Sequence, residues 1–235
     1  MSKASIVPDL AYTSRKGRRG SQSSGYKELK AVLKYLQYRD NSDGHIPQEE
    51  GLERWQDRGL GLNYREILDH CDRLGSKSVL AWTLVVSPAP DLMALVPEQE
   101  REALVMGLTE EIVEAYYATR KVEVAEYSYV LHNRLTQPSA DNPDRIEQLH
   151  THVVLTGTVP TIEGRRENFY NQANKGHIQM LQDLSTAAFE AALDRSVGPT
   201  WRELRPEPEV LAPPIQPEGL SELDQWFGPR QREID

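Results

Sequence analysis

Hydrophobic and polar positions along the chain change period several times, and each change predicts an element. Between Tyr26 and Arg39, Leu29, Val32, Leu33 and Leu36 recur at three- and four-residue spacing, the stripe of an amphipathic helix. Tyr35 falls at the edge of that stripe and Tyr38 nearly opposite it, so the two phenols are surface neighbours one turn apart. Asp40 to Gly44 breaks the pattern, and residues 45–62 read as a polar loop or short helix. Asn63 predicts the cap of a helix running to about Leu74 and ended by Gly75. Val79 to Ser87 is a continuous apolar run, the mark of a central strand, stopped by Pro88 and Pro90. Over 98–118, Leu104, Leu108, Ile112 and Tyr116 recur every four positions, joined by Val105 and Val113, which predicts a long helix. Val122 to His132 alternates, with Val124, Ser128, Val130 and His132 on one face and His132 at the strand's end. Residues 157–173 form a polar connection, and 174–195 predict a helix through Ile178, Leu181, Leu184, Ala188 and Leu193.

The stretch from Gln148 to Thr156 is the informative one. It is rich in β-branched and aliphatic residues and fits no helix period, so it reads as a strand. His150 and His152 then share one face about 7 Å apart, while Leu149, Val153 and Leu155 point to the other. Two half-exposed histidines on a sheet would show the same spacing. The polar loop from Asn133 to Glu147 joins this strand to the one carrying His132, a β–loop–β pattern that predicts an antiparallel pair. On that pairing three imidazoles converge, and three neutral imidazoles make a divalent-metal site with open positions.

Composition narrows the function classes. At 235 residues the chain is long enough for one domain with tails or a small appendage. Its single cysteine, Cys71, rules out an internal disulfide and fits a reducing cytoplasm. No signal peptide and no apolar run of membrane-spanning length is apparent. The net charge of −9 argues against general nucleic-acid binding, but residues 1–39 carry nine Lys/Arg against two Asp/Glu. Residues 1–25 thus predict a basic flexible arm, with Arg15, Lys16, Arg18 and Arg19 as candidate phosphate contacts and Arg165 and Arg166 as further ones. Trp55, Tyr64 and Tyr170 are candidates for stacking on bases. Seven of the fifteen prolines lie from Pro199 onward, and residues 199–235 read as a Pro-rich acidic extension.

Three segments together resemble a family. VLHN at 130–133, LHTHVVL at 149–155 and ELKAVLKYLQYRD at 28–40 are similar to the HUH endonucleases and, within them, the plasmid-mobilisation relaxases. The resemblance spans roughly residues 26–195, within a catalytic domain taken as 26–198, and implies an α/β (α+β) fold, a mainly antiparallel central sheet of about five strands with flanking helices. It implies His132, His150 and His152 as ligands of a divalent metal, magnesium or manganese. It implies Tyr35 as the nucleophile, with Tyr38 as runner-up or as the tyrosine of a later transfer step. The implied reaction is nicking and strand transfer of single-stranded DNA at an origin-like site through a 5′-phosphotyrosine, with accessory mobilisation proteins as partners. Many relaxases carry an acidic residue just after the first histidine, where this chain has Asn133. Two other readings stand beside it: a non-catalytic nucleic-acid or protein-binding module on the same fold, and a phosphoesterase using histidines as acid and base.

Overall fold

Five antiparallel strands form the central sheet: β1 (Ile6–Ser14), β2 (Trp55–Arg58), β3 (Val79–Pro88), β4 (Tyr127–Leu135) and β5 (Glu147–Thr156), in the spatial order β1-β3-β5-β4-β2. The computed structural model describes residues 6–16, 24–42, 55–119, 121–122, 124–135, 147–161, 163–169 and 176–204. Helices α1 (Gly25–Ser42) and α2 (Tyr64–Leu74) cover one face of the sheet, and α4 (Glu98–Thr119) and α5 (His177–Ser196) cover the other. The short α3 (Pro90–Met93) and α6 (Trp201–Leu204) and a small hairpin, β6 (Thr158–Pro160) and β7 (Arg166–Asn168), complete the described residues. This is the α+β architecture with a five-stranded antiparallel sheet that the sequence led us to expect.

Strand alternation sorts the side chains into two cores. From β3, β4 and β5, Trp82, Leu84, Val86, Tyr127, Tyr129, Leu149, Val153 and Leu155 pack under α4 and α5. Val130 and Val154 face the other way and meet Leu29, Leu33 and Leu36, the predicted stripe of α1, together with Ile67, Leu68 and Cys71 of α2. The N-cap of α2 is Asn63, whose side chain accepts from the main-chain N–H groups of Arg65 and Glu66. Leu33 is fully buried in this second core. Leu33→Ala should therefore cost about 2–5 kcal/mol in urea denaturation, the lost transfer energy plus the cavity left between α1 and the sheet; a cost below about 1 kcal/mol would mean that α1 is not docked there.

Several expectations need correction. Residues 6–14 are not part of a flexible arm but an edge strand in register with β3 from Ile6↔Pro88 to Thr13↔Ala81. Ile6, Leu10 and Tyr12 alternate onto the α4–α5 core, and Tyr12 packs on Trp82 with ring centroids 5.2 Å apart. Pro8 is tolerated because the strand is an edge. Trp55–Arg58 is a strand rather than loop or helix, held by pairing of Trp55 with Val130. β4 begins at Tyr127 and not at Val122, which leaves Val124 exposed off the sheet, and it runs past His132 to Leu135. Residues from Pro199 do not all extend away: Trp201 is buried, and its indole N–H donates to Asp194 of α5 at 2.7 Å. Residues 205–235 lie outside the described residues.

The interior also sets an alkaline limit. Burial pushes the phenols of Tyr117, Tyr127 and Tyr129 above their ordinary range, with Glu126, Glu114 and Glu110 adding to it, and pushes the Cys71 thiol up to about 12. Tyr129 donates to Glu110 at 2.6 Å. These groups hold their protons in the fold, whereas in the unfolded chain a thiol ionises near pH 8.5 and a phenol near pH 10. Their contribution is thus complete below those values and is lost as pH rises beyond them. Melting temperature should be nearly flat up to about pH 8.5 and fall steeply between pH 10 and 11; a flat profile to pH 11 would contradict the burial of these phenols.

Candidate metal centre

The register of β4 against β5 builds the site. His132 lies directly opposite His150, and His152 lies opposite Val130 on one side and Val85 of β3 on the other. That register is fixed from the opposite face, where Tyr129 and Tyr127 oppose Val153 and Leu155 in the α4–α5 core; a one-residue slip of β4 would turn His132 into that core, and one of β5 would turn His150 and His152 there. The imidazoles meet with ring centroids 5.7 Å (His132–His150), 4.9 Å (His132–His152) and 5.0 Å (His150–His152) apart. All three side chains are buried, and one nitrogen of each lies within 4.8 Å of the other two. Nitrogens bound to one ion at about 2.1 Å in tetrahedral directions sit roughly 3.4 Å apart, so small rotations close the set.

Hydrogen bonds to main-chain carbonyls decide which nitrogen of each ring is offered. Nε2 of His132 is 2.8 Å from the carbonyl oxygen of Leu36, and Nδ1 of His150 is 3.1 Å from that of Gln148. A carbonyl oxygen only accepts, so the nitrogen facing it carries the hydrogen. In the neutral ring the lone pair is then on Nδ1 of His132 and on Nε2 of His150. Nδ1 of His132 and Nε2 of His152 are both enclosed in the interior. Three neutral nitrogen donors with no carboxylate in the group suit a metal such as zinc or copper better than magnesium, which prefers oxygen ligands. The donor set fits a divalent transition metal.

The Leu36 carbonyl belongs to α1, so the helix that carries both candidate nucleophiles is fastened to a candidate metal ligand by its own backbone. Tyr35 precedes Leu36 directly, and Tyr35 and Tyr38 are both half-buried against the α1–α2 core. The Tyr38 ring meets Tyr64 edge-on, with centroids 6.2 Å apart.

The candidate phosphate contacts are scattered. Arg15 clamps the end of β1 to α2: its guanidinium donates to the Asp72 carboxylate at 2.7 Å, to the Asp72 carbonyl at 2.6 Å and to the Ser76 carbonyl at 2.7 Å. Arg166 pairs with Glu126 at 2.5 Å and donates to the Thr158 carbonyl at 3.0 Å. Lys16 and Arg165 are exposed, whereas Arg18 and Arg19 lie outside the described residues. Trp55 and Tyr64, candidates for stacking on bases or for packing in the interior, are buried, and Tyr170 is outside the described residues. The carbonyls of Leu36 and Gln148 were not foreseen, because a main-chain acceptor has no signature in the residue string.

No family model matches the chain, and no curated protein matches it. Among solved structures it is similar to TrwC complexed with a 27-mer DNA comprising the recognition hairpin and the cleavage site, at 14% identity over 80% of this chain and 69% of that one, with a TM-score of 0.49. It is also similar to the conjugative relaxase TrwC in complex with oriT DNA in a metal-free structure, at 16% identity over 86% of this chain and 71% of that one, with a TM-score of 0.48. A third is a structure described as the molecular basis of vancomycin resistance transfer in Staphylococcus aureus, at 10% identity over 82% of this chain and 94% of that one, with a TM-score of 0.45.

Proposed function

We propose that this chain is a metal-dependent nickase and strand transferase of single-stranded DNA, of the relaxase type used in plasmid mobilisation, with Tyr35 as its nucleophile. The observation that carries this reading is the cluster of His132, His150 and His152 bonded through His132 to the backbone of the tyrosine helix. His132, His150 and His152 would hold a divalent ion, whose charge would polarise a phosphoryl oxygen. Tyr35 Oη attacks the phosphorus of one phosphodiester. The Oη–P bond forms as the P–O3′ bond breaks, the phenol gives up its proton, and the departing 3′-oxygen takes one. A 5′-phosphotyrosine and a free 3′-hydroxyl result, and because the bond energy is conserved, rejoining needs no nucleotide cofactor. Such a transfer rests mainly on positioning and electrostatics, which a helix pinned against the metal ligands provides. Tyr38 serves as the second acceptor. The DNA is recognised at an origin-like site, with accessory mobilisation proteins as partners; no helix among the described residues is long and apolar enough to cross a membrane.

The test is incubation of the protein with manganese and single-stranded oligonucleotides labelled at the 3′ end, the side retained by a 5′-phosphotyrosine, followed by a denaturing gel. A protein-linked label that requires both metal and single-stranded DNA is expected. DNA binding with no covalent product under any metal would instead assign the chain to a non-catalytic binding module.

A further inference from the structure

Away from the histidines, two cations lie beside one aromatic ring on the α1–α2 layer, and a third stands one turn further along α1. Arg65 Nε donates to the Tyr64 hydroxyl at 3.1 Å, and its guanidinium carbon lies 5.6 Å from the Tyr64 ring centroid. Lys34 Nζ lies 5.6 Å from the same centroid. Lys30 adds its charge from one turn earlier in α1, and the bond from Arg65 together with these charges holds the Tyr64 phenol below its ordinary range against the opposing effect of burial. The start of α2 is fixed to α1 by the Tyr64 N–H, which donates to Oε1 of the buried Gln37 at 2.7 Å. The patch is therefore set by packing and does not depend on long side chains finding one another.

Its cations are available. Among the described residues Lys30, Lys34 and Arg65 form no ion pair, whereas Arg15, Arg58, Arg166, Arg195 and Arg202 each face a carboxylate. All three residues are exposed. Gathering like charges on a chain of net charge −9 costs free energy that an anionic partner would offset. The position is equally specific. Lys30 and Lys34 lie about 9 Å and 3 Å along the α1 axis from Leu36, whose carbonyl holds His132.

We propose that Lys30, Lys34 and Arg65 form the seat on which the phosphodiester backbone of single-stranded DNA is carried toward the metal centre. With Nε engaged by Tyr64, Arg65 presents its two terminal nitrogens in the fork that suits a phosphate, and the lysines act as point charges beside it. The proposal takes from the preceding reading only that the bound polymer is single-stranded DNA.

Equilibrium binding of a fluorescent oligothymidylate to the full chain in EDTA, followed by anisotropy between about 50 and 200 mM KCl, tests it. Without metal no cleavage interferes. The Lys30→Gln/Lys34→Gln double variant and the triple variant adding Arg65→Gln should lose affinity by about tenfold or more at low salt. The salt slope should shrink by about 0.7 for each phosphate contact removed. Arg195→Gln, on α5, should bind as the unmodified chain does. The double variant keeps the bond between Arg65 and Tyr64, so a folding defect confined to the triple variant does not obscure the result. Wild-type affinity and slope in the double variant would overturn the proposal, as would failure of the unmodified chain to bind single-stranded DNA. Loss of slope in the variants with no covalent adduct in the unmodified chain would remove the nicking reading and leave the seat in place.

Discussion

Tyr35→Phe should yield a folded, metal-binding protein whose covalent DNA product falls by about 10⁴-fold or more, the loss expected when a nucleophile is removed. The substitution deletes one oxygen and leaves the ring packed against the α1–α2 core, so the change in stability should stay near the 0.5–1.5 kcal/mol of a single hydrogen bond. Gel quantification of labelled oligonucleotide bound to protein, beside a thermal melt, separates the two effects. Tyr38→Phe is the discriminating partner. Tyr38 lies on the flank of α1 facing Tyr64, and its loss should leave the first adduct intact while slowing transfer to a second strand. An adduct that survives Tyr35→Phe and vanishes in Tyr38→Phe would exchange their roles; one that survives the double variant would end the tyrosine mechanism.

Alanine at any of the three histidines should abolish metal-dependent stabilisation. A ligand at a hundred times its dissociation constant raises stability by about 2.7 kcal/mol, so the unmodified chain should melt higher in manganese, while His132→Ala, His150→Ala and His152→Ala should not respond. The three differ without metal. His132 binds the Leu36 carbonyl across 96 residues of sequence, whereas the bond of His150 to Gln148 is local. His132→Ala leaves a buried carbonyl without this donor and loosens α1, and it should cost about 1–3 kcal/mol more than His150→Ala in metal-free urea unfolding. Equal costs would mean that the Leu36 bond does not fasten the helix.

Much of this geometry was legible in the residue string where one face of an element is apolar. The α1 stripe, the Asn63 cap, the apolar run of β3 and the four-residue period of α4 each declare their element, and the H-x-H alternation fixes which way His150 and His152 point. The edge strands were hidden for physical reasons. In β1 the alternation of Ile6, Leu10 and Tyr12 is interrupted by Pro8 and followed by a basic run, so local composition spoke for a tail while tertiary pairing with β3 prevailed. In β2 a single apolar residue, Trp55, carries the strand. At the site, side-chain chemistry could be read and main-chain chemistry could not, which is why the Leu36 carbonyl escaped notice. Charge counting pointed at Arg15 and Arg166, and neither count nor spacing reveals that Asp72 and Glu126 engage them.

Pulsed electron paramagnetic resonance of the chain loaded with one equivalent of manganese tests the central claim most directly, because nitrogen modulation reports the imidazoles on the ion. Three coordinated imidazole nitrogens are expected, falling to two in each of His132→Ala, His150→Ala and His152→Ala wherever binding can still be forced. A signal without nitrogen modulation, or one unchanged by all three substitutions, would contradict a metal centre built from these histidines.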